Sequence, residues 1–316
     1  MNRPTPRRPG PDDAAGGVKT RDLAAAAPAD EQTGPKPPSA ACRFMRDRPA
    51  AVALTYLALL AAAAALAPLL ATHDPNAQQL ASRLSPPSAE NWLGTDEFGR
   101  DQMSRLLYGA RVSLLAATQA VTIGALAGVP PGVLSGYLGG VTDAMLGRLM
   151  DVLMGVPGIV LALTVVAVLG RDITTAMVAV GVILVPRFHR VARAATRDLR
   201  HETFIEASRT IGCTPGRVLG RHVLPNILPV LVVQISITLG VAVTAEASLS
   251  FLGLGVRPPD PSWGSMLNTA YANMTIAPYL VYAPGLAITL TVLALTLAGD
   301  GLRKTVRIRH SAERNP

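Results

Sequence analysis

Apolar residues in this chain gather into six long blocks, at about 50–71, 112–136, 148–169, 173–195, 224–249 and 279–300. Polar stretches studded with Arg, Asp, Pro and Gly separate them. A helix rises about 1.5 Å per residue, so roughly 20 apolar residues cross a hydrocarbon core of roughly 30 Å. The blocks therefore predict six membrane-spanning helices and an all-α polytopic membrane protein. The third block opens with Arg148 and Asp151, so its apolar part is shorter than the others.

Composition agrees with the pattern. Hydrophobic residues make up 49% of the 316 positions and charged residues only 16%, with a mean hydropathy of +0.33. A soluble domain carries about 25% charged residues. The net charge of +8 could suggest nucleic acid, but the arginines lie between apolar blocks and aromatics are only 4%. That distribution follows the positive-inside rule and excludes nucleic acid as the partner. Segment 187–221 holds eight arginines, and Arg303, Lys304, Arg307 and Arg309 crowd the C-terminus. The turn at 170–172 has only Arg171, and the loop at 256–277 only Arg257. Six spans then put both termini and segment 187–221 in the cytoplasm. The first loop dissents, with Arg83, Arg100, Arg105 and Arg111 outside, where Asp74, Glu90, Asp96, Glu97 and Asp101 could pair with them.

Residues 1–42 read as a disordered cytoplasmic tail rich in Pro, Gly, Ala and mixed charge, with no cleavable signal. Cys42 and Cys213 are too few for a disulfide framework and lack zinc spacing, so both are expected as reduced thiols. His73 and His222 have no second ligand at metal spacing, and no metal site is expected. His189 is expected at the cytoplasmic surface. Asp143, Arg148 and Asp151 are expected to form a pairing face at the cytoplasmic end of the third span.

The most informative stretch is Glu206-Ala207-Ser208-Arg209-Thr210-Ile211-Gly212, followed after nine residues by His222-Val223-Leu224-Pro225. A short amphipathic piece ends at a glycine. A second begins at Thr214-Pro215, where Thr214 suits an N-cap and Pro215 the first helical position. Pro225 would restart a helix into the bilayer. Such a helix–turn–helix is too polar for lipid and is suited to fill a groove on another protein.

Glu-Ala-Ser, three residues, Gly, nine residues and then x-x-Leu-Pro resembles the EAA signature of ABC importer permeases. Gly94-Thr95-Asp96-Glu97-Phe98-Gly99-Arg100-Asp101, Gly109-Ala110-Arg111-Val112-Ser113-Leu114, Ala245–Gly255 and Pro261-Ser262-Trp263-Gly264 resemble the C-type permeases of the dipeptide/oligopeptide/nickel branch. The resemblance covers roughly 43–305. Ser208 replaces the second Ala of the signature, and His222 fits the peptide/nickel branch.

The resemblance implies a type I ABC importer transmembrane-domain fold. It would comprise a first helix and extracytoplasmic loop (43–110), a core permease domain (111–305) with a coupling loop at 198–222, and a basic cytoplasmic tail (306–316). It implies that Glu206 pairs with a basic group on a cytoplasmic ATPase, that Ala207 and Ser208 allow close approach, and that Gly212 makes the turn. Leu224 and Pro225 complete the motif. The implied partners are a homologous second permease in a heterodimer, two ATPase subunits binding ATP and Mg, an extracytoplasmic substrate-binding protein and membrane lipid. The chain itself would carry no cofactor, no metal and no catalytic residue.

No Gly-x-x-x-x-Gly-Lys-Ser/Thr loop is present to cradle phosphates. Gly299–Thr305 lacks the glycine before Lys304 and reads as a helix C-cap followed by surface cations. Energy must then come from another chain. Gln119, Gln234, Thr238 and Glu246 are candidates for a translocation path, since polar groups in spans face cavities or tie helices together. Di- or oligopeptides are the leading substrate class, nickel chelates or another small solute the alternative. A self-sufficient secondary transporter would need a mid-membrane carboxylate chain and inverted repeats, which the sequence lacks.

Overall fold

The computed structural model describes residues 47–313, with side chains described through Thr305. The expected N-terminal tail, including Cys42, lies outside the described residues. Eleven α-helices occur among them: α1 (Arg48–Ala65), α2 (Ala67–Leu70), α3 (Gln102–Leu138), α4 (Gly140–Gly155), α5 (Gly158–Leu169), α6 (Ile173–Leu199), α7 (Thr203–Thr210), α8 (Pro215–Val218), α9 (Leu224–Phe251), α10 (Trp263–Ala272) and α11 (Tyr282–Glu313). Five helical stretches are long and apolar enough to span a membrane. The pair α4 and α5 makes a sixth if taken as one broken span.

That break corrects the expected continuous helix at 148–169. The two helices are bent by 82°. The cause is Pro157, which removes a backbone donor and forces the preceding Val156 into extended geometry, with ψ 125°. The expected pairing face is corrected too. Asp143 bonds Arg193 and Ser135, and Asp151 lies 3.5 Å from Arg190, so α4 pairs outward onto α6 rather than within itself.

The centre of the bundle is the packing of α3 on α6. Gly124, Gly128, Gly132 and Gly136 recur every fourth residue along α3 and so line one face. A Cβ on Gly128 would stand 2.5 Å from the Val185 carbonyl, and one on Gly132 would stand 2.6 Å from that of His189. Only hydrogen fits there, which lets the two backbones approach as small residues do between membrane helices. Phe188, Leu184 and Ala192 fill the crossing. His189 belongs to the same seam and is only 1% exposed, so it is not the surface histidine expected from its position beside Arg190.

α9 packs on α11, α3 and α6, while α1 covers α11. Lys304 and Asp47 pair at 2.7 Å and hold the start of α1 beside α11. The stretch at Gly299 is not a C-cap: the helix runs through it to Glu313, well past the expected boundary at 300 and through most of the expected tail. Outward faces are strongly apolar, with Val52, Leu59, Leu69, Leu126 and Val141 largely exposed. Such surface is tolerable where lipid or a partner covers it.

At one end of the bundle, called here the Trp263 end, the loops 72–101 and 252–277 interlock. Asp96 accepts from Arg100 Nε at 2.7 Å and lies 3.5 Å from Arg105 Nε, all three being buried. Arg105 also donates to the carbonyls of Pro75 and Pro259, at 3.0 and 3.2 Å. Two of the four arginines that dissented in the first loop are thus paired locally with one aspartate, which offsets half of their charge. Ser262 and Ser265 form a capping box at the start of α10.

Candidate functional site

At the opposite end, the segment from Glu202 to Val223 is a packed element rather than a tether. Ile205 of α7, Val218 of α8 and Val223 are wholly buried against Val133 and Tyr137 of α3, Ala192 of α6, and Ile227 and Leu231 of α9. These apolar residues anchor it to three long helices at once.

Its turn is built by hydrogen bonds. Gly212, with φ +82°, follows the C-cap Ile211 of α7. Its N–H donates to the Arg209 carbonyl at 3.0 Å, and the Cys213 N–H donates to the Ser208 carbonyl at 3.1 Å. This pair of bonds is a Schellman motif, which places glycine at the left-handed position because a Cβ there clashes with the backbone. Thr214 then stands at the N-cap of α8 with Pro215 behind it, although its side chain makes no capping bond.

The second half of the element does not stop before the bilayer helix. Between α8 and α9, residues Leu219–Val223 form one π-helical turn, and helical backbone runs unbroken from Pro215 to Phe251. Pro225 therefore does not restart a helix. It occupies the first turn of α9, where a missing N–H is easily tolerated because the preceding turn has widened.

Glu206 and Ala207 are exposed on α7, and Gly212 is exposed at the turn. Leu224 and Pro225 are exposed at the start of α9. Ser208 differs from expectation. It is 8% exposed, turns toward the body of the chain, and donates to the Phe204 carbonyl at 2.7 Å. Its smallness serves packing inside this chain, so the close approach expected of both Ala207 and Ser208 is open to Ala207 alone. Two residues that sequence reasoning did not single out complete the outer face. Ile211 is 79% exposed and Phe204 is 40% exposed, a pair of bare apolar side chains beside the exposed Glu206 carboxylate.

Sequence reasoning also missed what holds the element. The Arg209 guanidinium lies over the Tyr137 ring, 4.5 Å from its centre, and Arg209 Nε donates to the Tyr137 hydroxyl at 3.2 Å. This clamps α7 to the last turn of α3. No signal in the sequence links residues 72 positions apart.

The four polar residues proposed for a path fall into two pairs. Thr238 and Glu246 are enclosed inside this chain, each 0% exposed. Thr238 lies 2.9 Å from Gln234 Nε2, which donates to it, and Glu246 Oε1 accepts from Ser250 at 2.7 Å. Gln119 and Gln234 are partly open. The first pair is sealed inside the chain with bonds that run along α9 itself, while the second retains access to whatever lies beside the bundle.

Comparison with known proteins agrees with this architecture. The family described as "Binding-protein-dependent transport system inner membrane component" matches residues 128–309. The family "N-terminal TM domain of oligopeptide transport permease C" matches residues 39–87. The glutathione transport system permease protein GsiD of Escherichia coli O157:H7 is 45% identical over 262 residues, covering 83% of this chain and 86% of the relative. GsiD of Shigella flexneri serotype 5b is equally similar, with the same coverage. Among solved structures, an inward-facing conformation of the MetNI methionine ABC transporter superposes with a TM-score of 0.53. It is 24% identical and covers 66% of this chain and 97% of the matched chain, a likeness of fold.

Proposed function

The chain belongs to the binding-protein-dependent transport system inner membrane components, as an ABC importer permease subunit, and on that premise we propose that it imports peptide-like solutes by coupling to a separate ATPase. The bare face of α7, with Glu206, Ala207, Phe204 and Ile211, is the observation that carries this reading. An exposed carboxylate flanked by exposed apolar side chains suits the rim and core of a protein interface.

In this mechanism two cytoplasmic ATPase subunits bind ATP and Mg, and one of them receives α7 in a groove, with Glu206 against a basic group. The Glu206 end is then cytoplasmic and the Trp263 end extracytoplasmic. The arginines of segment 187–221 at the Glu206 end support that orientation. A binding protein delivers solute at the Trp263 end, to a path formed with a homologous second permease. Gln119 and Gln234 keep the access a path requires, whereas Thr238 and Glu246 stabilise the wall behind it. Closure of the ATPases displaces α7, and the continuous helix from Pro215 to Phe251 carries that displacement across the membrane. The glutathione named for the similar GsiD proteins favours a peptide-like solute over a nickel chelate.

The test is ATP hydrolysis and solute uptake by the whole complex in proteoliposomes, stimulated by its binding protein. Proline at Gly212 cannot adopt φ +82° and loses the bond to Arg209. Gly212→Pro should leave an assembled complex whose stimulated hydrolysis falls severalfold. Unchanged stimulation counts against coupling through this element.

A further inference from the structure

Arg171 and Arg257, each the lone cation of its loop, meet in the fold at the Trp263 end. Arg257 Nε donates to the Arg171 carbonyl across 86 positions of sequence. With Gly253, Gly255, Val256 and Pro258 they line a concavity of about 580 Å³. Both arginines are exposed, and among the described residues no carboxylate lies within ion-pair distance of either. The adjacent Asp172 is engaged otherwise, its carboxylate accepting from the Thr174 N–H at 3.0 Å.

The floor of the concavity is held in place. Gly253 closes α9 with the same paired bonds seen at Gly212: its N–H donates to Ser250 at 3.0 Å, and the Leu254 N–H donates to Leu249 at 2.9 Å. Gly255 rests directly on Ser250, where an added Cβ would come within 1.9 Å of the hydroxyl oxygen. Ser250 is in turn fixed by its bond to the buried Glu246. The space beyond Gly253 is open, with nothing within 4 Å of where a Cβ would stand. Two cations are therefore presented over a side-chain-poor floor, with no carboxylate of the described residues paired to either.

We propose that this concavity binds the carboxylate of a peptide-like solute, held by charge-assisted bonds from Arg171 and Arg257. Guanidinium matches carboxylate geometry with paired donors, and the volume lies within the range of roughly 300–1,000 Å³ usual for small-molecule sites. The inference rests on the proposed import of peptide-like solutes with this end extracytoplasmic. A phospholipid phosphate could satisfy the same cations, so the test separates the two sources.

The full transporter complex in nanodiscs of neutral phosphatidylcholine is titrated with two probes, glutathione and triglycine, each as the free acid and as the carboxyl ester. At least one free acid should bind saturably, with esterification weakening it roughly tenfold or more. Arg171→Gln with Arg257→Gln should produce a similar loss, and Arg171→Lys with Arg257→Lys should recover part of it. Monodispersity and thermal unfolding establish that the variants are folded. Failure of both free acids to bind, equal binding of acid and ester, or binding untouched by the glutamine variants overturns the proposal. So does a change confined to the enrichment of anionic phosphatidylglycerol around the complex when that lipid is mixed into the nanodiscs, which would assign the site to lipid. Failure of the importer reading shows separately, as absence of ATP-driven uptake by the unsubstituted complex.

Discussion

Gly212 and Arg209 sit three residues apart yet do different work. Gly212 supplies a backbone conformation that other residues adopt at a cost of roughly 1 kcal/mol. Its space is open on the side where a Cβ would project, so Gly212→Ala should destabilise the element by about that amount and no more. Partial proteolysis or hydrogen exchange confined to 203–223 would register it. Arg209 instead holds α7 on Tyr137, through ring and hydroxyl together. A double-mutant cycle with Arg209→Gln and Tyr137→Phe should give a coupling of about 0.5–1 kcal/mol in thermal unfolding of the complex. Strict additivity would show that the pair is incidental. At this scale the sequence is half legible. Glu206 and Gly212 could be found because their spacing is local, and their exposure and φ agree with what that spacing asks. Tyr137 could not, because its partner arrives only once α3 and α7 have packed. Ser208 misled, since a small residue in a surface motif says nothing about which way it faces.

Among the helices, the seam between α3 and α6 decides whether the bundle forms. Gly132→Leu would drive a side chain into the His189 backbone and the Ala192 methyl group. Overpacking of this kind costs about 1–3 kcal/mol or more, and the variant should show a lower Tm or fail to accumulate in the membrane. Gly285, which has nothing within 4 Å, should accept alanine without such loss. The ion pairs between α4 and α6 are unequal. Asp151 and Arg190 are mostly exposed at 3.5 Å, so Asp151→Asn should change stability by less than about 1 kcal/mol. Asp143 is better covered and bonds both Arg193 and Ser135, so Asp143→Ala should cost about 1–3 kcal/mol in the same measurement. The spans were legible because twenty apolar residues admit few other fates. The break at Pro157 was not, because proline inside a membrane helix is compatible with a gentle kink as well as a sharp bend, and only the packing around it selects between them.

For the whole molecule, sidedness is the property on which the mechanism turns. Cys213 is partly exposed within the turn at the Glu206 end. After Cys42→Ser, a membrane-impermeant maleimide should label Cys213 in inside-out vesicles and leave it untouched in intact cells. Labelling from outside would reverse the orientation and remove the ATPase from reach of α7. The arginine distribution predicted that orientation from the sequence, and the dissenting cations of the first loop became intelligible only when Asp96 was seen to hold Arg100 and Arg105.

The single helix from Pro215 to Phe251, 37 residues long, reaches about 55 Å at the usual rise per residue. A tilt at its foot reaches its head to the extent that the π turn at Leu219–Val223 and Pro229 do not absorb it. Its foot is the half of the surface element that follows Gly212, and its head supports the glycine ledge beneath Arg257. The concavity proposed for the solute and the face proposed for the ATPase are thus opposite tips of one piece of backbone.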